Sequence, residues 1–311
     1  MASPDRDNRL DEEQAAPPRG TNVNTGLAAA FGLAATVLFF LLLRLPGLSD
    51  TYVFDLCCRR GPVQYATVAF FFWGVAILAL KVRLIRIEHQ AFDQELLPTD
   101  VNTLIRQADA LQHIRRIKRL EPDDRSRLLV NRVWRALVRF KLLGSAEKVD
   151  DLLRYQGEID AASMESGYGL LKFIIALVPI LGFLGTVLGI SKAVAGFSAV
   201  VSAAGSVDAV KKALEGVTLG LATAFDTTLL ALVMSALLMF GLTLFQRAEE
   251  VLLGRIEDYC LDHLLDRLWV PPPHEQFESA MVRALTPLPE RLAAEIKRLH
   301  DETGPGDEKT A

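Results

Sequence analysis

Four long stretches of this 311-residue sequence, residues 21–43, 61–80, 173–191 and 227–246, contain no Asp, Glu, Lys, Arg or His. They hold 23, 20, 19 and 20 residues, and ~20 apolar residues in a helix cross the ~30 Å hydrocarbon layer of a bilayer. Only 23% of the chain is charged while 50% is hydrophobic, with a mean hydropathy of +0.24, so an ordinary soluble globular class is excluded. Cysteine is scarce: Cys57 and Cys58 are adjacent and Cys260 is far away, which excludes a disulfide framework. The five histidines show no HExxH or CxxC…HxxxH spacing, so no metal site and no cofactor are expected. A net charge of -4 gives no electrostatic footprint for nucleic acid.

The fold class that follows is all-α, a polytopic membrane protein with four transmembrane helices and long helices extending into the cytoplasm. Residues 1–24 are polar, acidic and Pro-containing, and read as a disordered leader in place of a signal peptide. Residues 25–81 hold the first two spans and a short outer loop. Residues 82–168 form a helical central segment, 169–246 hold the last two spans, and 247–270 extend the fourth helix. Residues 271–311 begin at a triple proline and continue as a short amphipathic helix and a polar tail. With an even number of spans, 28 Lys and Arg residues fall on the side of both tails and the central segment, against 6 in the two remaining loops. That bias places both termini in the cytoplasm.

Within the central segment, Leu104, Ala108, Leu111 and Ile114 predict a helix over 101–120, and Pro122-Asp123-Asp124 predicts the start of the next. Gly144 fits the position after that helix and Ser145 fits a new N-cap. The stretch 145–173 contains no proline and can run as one helix into the membrane, with Gly157, Gly167 and Gly169 as its weak points. The sequence RRIKR at 115–119 reads as a solvated helix face, with docking of a cytoplasmic protein as the sharper alternative. Trp134 and Trp269 read as packing residues.

The chemistry lies in the last two spans. After Pro179, Gly182, Gly185, Thr186 and Gly189 recur at spacings of three and four, and Ala224, Thr228, Ala231 and Ser235 follow the same rule in the fourth span. Each helix thus has a narrow face lacking bulk, which either lets helices approach closely or lines a route walled by another element. Thr186 and Thr228 are candidate ion-pathway residues, with Thr227 a weaker one. Asp226 stands just before the fourth run and reads as an interfacial acid that caps or hydrates the helix start. Proton transport through a membrane uses ionisable relays, and the spans contain none, so a proton carrier would have to arrive on another subunit.

At these residues the sequence resembles the MotA/TolQ/ExbB proton-channel family. PILGFLGTVLGI, residues 179–190, is similar to the family's P-x-L-G-L-L-G-T-V-x-G-I segment, with Thr186 on its membrane threonine. LGLATAFDTTLLAL, residues 219–232, is similar to G-I-x-x-A-L-x-x-T-x-x-G-L, with Thr228 on the second threonine and Ala231-Leu232 replacing Gly-Leu. Two spans before the central segment match the flagellar-motor branch, whereas the central segment and tail match no branch. The resemblance implies a homopentamer in a bacterial inner membrane around a MotB/TolR/ExbD-like single-span partner that supplies a membrane aspartate. It also implies ion passage, of H+ in preference to Na+, that drives rotation or force on that partner, as in stators and energy-transducing systems for uptake and protein transport. No enzymatic activity is expected. The alternative is a membrane scaffold or sensor that recruits cytoplasmic partners without ion conduction, its glycine faces serving only as packing; membrane lipids surround the spans in either reading.

Overall fold

In the computed structural model, residues 23–47, 51–59, 61–92, 94, 96–97, 104–120, 127–202 and 207–272 are described, together with Met281, Leu292 and Ala294. The leader, Pro98-Thr99-Asp100, Pro122-Asp123-Asp124 and nearly all of the C-terminal amphipathic segment lie outside the described residues. Four helices are long and apolar enough to cross a membrane, and no strand occurs among the described residues.

Helix α1 (Thr25–Leu43) opens on Asn24, whose side-chain oxygen accepts hydrogen bonds from Gly26 N at 3.1 Å and Leu27 N at 3.4 Å, satisfying donors that a helix start leaves orphaned. A Cβ on Gly32 would lie 2.6 Å from Trp73 Cα, so glycine here sets the close approach of α1 to α2 (Pro62–Gln90). Between them runs a helical turn, Tyr52–Phe54, continuing into a π-turn, Asp55–Arg59.

The central segment is less uniformly helical than its composition predicts. Helix α3 spans Ala110–Leu120, so residues 104–109 do not belong to the helix expected from 101. Ile105 is instead extended and pairs with the far end of the chain: Ile105 N donates to Arg267 O at 2.7 Å and Trp269 N to Ile105 O at 3.0 Å. Burial of Ile105 at 1% exposure in the same core and the Arg106 guanidinium over Trp269, 5.1 Å from its ring centre, accompany this pairing. The buried stripe of α3 is therefore Ala110, Ile114 and Ile117, and Leu104 is exposed.

Helix α4 (Leu128–Leu143) begins without a cap of its own. Glu88 of α2 takes that role, its Oε2 accepting from Leu128 N at 3.0 Å. Gly144 ends α4 in the left-handed region at φ 63°, where a side chain is strained, and Ser145 Oγ accepts from Lys148 N at 3.3 Å to start α5 (Ala146–Ser166). Both boundaries fall where the residue types predict. Helix α5 passes through Gly157 unbroken and pauses only at Gly167–Tyr168 before α6 (Gly169–Ser202).

Helix α7 is continuous over Val207–His263. Residues 192–226, which separate the last two uncharged runs and hold the second of the two outer loops counted above, are mostly helical extensions of α6 and α7 among the described residues. A charge ends an uncharged run without ending a helix, because a helix is held by its own backbone ladder. For the same reason Asp226 is not a helix-start cap: it sits within α7, nineteen residues from its beginning.

Two cores result. In the membrane bundle Val68, Ile77, Leu78, Leu171, Ile174, Leu230, Met234 and Leu238 join α2, α6 and α7. In the extramembrane domain Ile105, Ile117, Leu129, Val133, Leu137, Phe140, Leu252 and Ile256 join α3 and α4 to the far part of α7. In the extramembrane domain, full burial of each such side chain from water is worth ~1.5–3 kcal/mol. The outer faces of α1, α6 and α7 expose large apolar residues, among them Phe31, Leu38, Phe183, Phe225 and Phe240, a surface suited to lipid or to another membrane helix.

Candidate functional site

The small faces of α6 and α7 meet each other. Gly182, Gly185, Gly189 and Ala193 are buried against Gly220, Ala224, Thr227, Thr228 and Ala231. A methyl group would lie 2.5 Å from Ala231 Cβ at Gly182, 2.6 Å from Thr227 Oγ1 at Gly185, and 2.8 Å from Ala224 N and Gly220 O at Gly189. All of these distances are shorter than a Cβ tolerates, so α6 and α7 approach closely because the side chains are missing, backbone meeting backbone at Gly189. Of the two readings of these glycines, the geometry gives close packing between the two helices. Pro179 and Ser235 lie further along the same pair, half-buried, and Ser235 Oγ donates to Ile175 O at 2.9 Å.

Three threonines sit on this seam, in two roles. Thr227 is 3% exposed and fills the space opposite Gly185, its hydroxyl donating to Ala224 O at 2.9 Å. Thr186 and Thr228 are half-buried and hydrogen-bond each other. Thr186 Oγ1 lies 3.2 Å from both Gly182 O and Ala224 O; Thr228 Oγ1 lies 3.2 Å from Gly182 O and 3.3 Å from Ala224 O. With the Thr227 hydroxyl on Ala224 O, three hydroxyl protons reach this group of oxygens, and the Thr186 and Thr228 hydroxyl oxygens, with two lone pairs each, keep acceptor capacity in excess. Such a cluster can accept a hydrogen bond from a protonated carboxyl or a hydronium, or ligate a hard cation, but it cannot itself carry a proton as charge. Phe183, Val187, Phe225 and Leu229 are exposed nearby, so the hydroxyls are reached from an otherwise apolar surface.

Asp226 does not join the cluster. Two residues from Thr228 is ~200° around a helix, and Asp226 Oδ1 accepts from the Tyr52 hydroxyl at 3.0 Å, on the connection between α1 and α2. Among the described residues no group of three or more His, Cys, Asp or Glu is placed to hold a metal ion. Residue types and spacing did not single out a second polar cluster, at the other end of the bundle. Lys81 Nζ and Glu249 Oε1 are 2.9 Å apart with side chains 0% and 3% exposed, and Lys81 lies 3.8 Å from the centre of the Tyr168 ring. Its one signal in the sequence is that Thr228, Ser235, Leu242 and Glu249 follow one another at intervals of seven.

The fold and this seam define a class: a multi-pass α-helical membrane protein in which two close-packed spans carry hydroxyls but no ionisable group. Residues 126–258, from the edge of α4 through most of α7, match the model of the MotA/TolQ/ExbB proton channel family. Comparison with curated proteins and with solved structures gives no match.

Proposed function

We propose that the chain is the ion-conducting subunit of an energy-transducing complex in a bacterial inner membrane, with both termini and the α3–α5 domain in the cytoplasm. Five copies surround a single-span partner whose membrane aspartate carries the proton, and passage of H+ drives rotation or force on that partner. The observation that carries this reading is the Thr186–Thr228 hydroxyl pair within the family-matched region. It is an acceptor-rich site, half open on an apolar surface, in spans that lack a proton carrier of their own. Thr186 and Thr228 hydrate and orient the incoming carboxyl, while Thr227 and the glycines hold the two helices at the distance that brings the hydroxyls together.

Proton leak into cells co-expressing the chain with a single-span, aspartate-bearing partner tests the proposal. Leak should require both proteins, and Thr186→Val with Thr228→Val, which keeps shape and removes both hydroxyls, should lower it at least tenfold at equal membrane abundance. Full leak from the double variant removes the role of the threonines. A monomer or dimer that binds no such partner favours the scaffold reading.

A further inference from the structure

At the end of α6 and α7 away from the threonines, a cavity of about 310 Å³ opens beside the junction of α5 and α6, lined by Glu165, Tyr168, Gln246, Glu249 and Glu250 among others. Two of its lining residues are buried polar groups that face each other. Glu249 is 2% exposed and its Oε1 is held by Lys81; Tyr168 is 1% exposed, and its hydroxyl lies toward Glu249 without completing a hydrogen bond of ordinary geometry to Oε2. A buried carboxylate oxygen held this weakly costs free energy, so the arrangement leaves room for a second donor that comes and goes through the cavity.

Register connects this cavity to the threonine pair. Glu249 lies 21 residues beyond Thr228, and the positions between at intervals of seven are Ser235, hydrogen-bonded across to α6, and the buried Leu242. Tyr168 precedes Thr186 by 18 residues, five whole turns of a helix, and so lies on the same side of α6 apart from the pause at Gly167–Tyr168. The two polar clusters therefore stand at opposite ends of one seam, ~30 Å apart along the helix axis. The groups facing Glu249 are Lys81 from α2, Tyr168 from the α5–α6 turn, and Glu165, Gln246 and Glu250 around the cavity.

We propose that Glu249 is the proton-accepting group at the cytoplasmic end of the path, positioned by Lys81 and Tyr168 and emptied through the cavity. This assignment rests on the channel reading above. In each passage Oε2 of the carboxylate gains one proton and one O–H bond, then releases that proton to cavity water and returns to carboxylate. Lys81 keeps its proton throughout and holds Oε1, so the pair cycles between a neutral ion pair and a single positive charge. Tyr168 donates its hydroxyl proton toward the carboxylate without losing it.

The test is proton flux into liposomes holding the full chain with its single-span partner, followed by an entrapped pH dye. Lys81→Gln with Glu249→Gln replaces the ion pair by neutral groups of similar shape and should lower partner-dependent flux at least tenfold. Glu249→Asp, which retains a carboxylate, should keep at least half of the wild-type flux and shift its pH profile. Tyr168→Phe removes one oxygen and no charge, and should lower flux at least threefold. Unchanged flux in the neutral pair or in Tyr168→Phe overturns the assignment, as does an assembled Glu249→Asp protein that conducts no better than the neutral pair. If the neutral pair does not assemble, Tyr168→Phe decides by the same criterion. Absence of flux from the wild type with its partner overturns the channel reading and this assignment together, whereas flux that survives the variants removes only Glu249.

Discussion

The α6–α7 seam and the α3–α5 domain are both helix packings, and they are built from opposite materials. Along the seam the contacts are small: Gly189 and Gly220 lie on the backbone of Ala224 and Ala193, Gly182 lies against the Ala231 methyl, and Gly185 lies against the Thr227 side chain. In the domain they are Leu129, Val133, Leu137, Phe140, Leu252 and Ile256, and side chains interdigitate. The difference follows from what surrounds each. A domain in water gains by removing apolar area from it, so bulk is useful. Helices already in lipid gain nothing from that exchange and associate through close van der Waals contact, so bulk is an obstacle. The seam also gains an opportunity: with the backbones this close, Thr186 and Thr228 reach each other and each other's carbonyls.

Inserted bulk should be far less tolerable in the seam than in the domain. Gly189→Leu would drive a side chain into Ala224 N and Gly220 O, both backbone atoms that cannot turn aside. The helices must separate, and we expect loss of assembled protein at ordinary expression temperature, read by size-exclusion of a fluorescent fusion in mild detergent. Ala136→Leu in the domain, at a fully buried position among side chains, should cost ~1–3 kcal/mol and leave a folded protein. Equal tolerance at the two sites would show that the seam is looser than its contacts imply.

A second test concerns charge. The domain contains Arg132 of α4 bonded to Asp160 of α5 at 2.9 Å, with side chains 5% and 9% exposed. Removing one partner by Asp160→Ala leaves a buried guanidinium uncompensated, and a loss of ~3–5 kcal/mol is expected in denaturant melts. Arg132→Met with Asp160→Leu replaces the pair by apolar volume and should fall within ~1 kcal/mol of wild type, in either direction. If both changes cost the same, the pair contributes more than mutual compensation.

Much of this comparison is legible before any coordinates. Runs free of charge mark the spans, and recurrence at three, four and seven marks Gly182, Gly185, Thr186 and Thr228 as one face, because helical period is a local property. Gly144 and Ser145 are legible for the same reason: each residue type serves one backbone position. Pairings that cross the chain are not. Ile105 lies on an extended stretch because it bonds to Arg267 and Trp269, and Lys81 is buried because Glu249 waits 168 residues away. The reading of Asp226 as a helix-start cap failed through taking charge as a sign of a boundary. Nothing local separates a threonine that packs, such as Thr227, from one that bonds across the seam, such as Thr228; their neighbours on α6 decide it.

The smallest expected effect compares one hydroxyl from each region. Ser145 Oγ accepts from Lys148 N at the start of α5, a donor with no partner inside the helix, so Ser145→Ala should cost ~1 kcal/mol. Thr243, exposed on α7, donates to Met239 O at 3.0 Å, a carbonyl that the helix ladder already engages. Its removal by Thr243→Ala leaves no orphan and frees a stiff β-branched side chain, so the change should be within ~0.5 kcal/mol of zero. Thermal melts of both variants in one detergent provide the measurement. A Thr243→Ala loss as large as that of Ser145→Ala would mean that the hydroxyl on the outer face of α7 meets a partner that is not lipid.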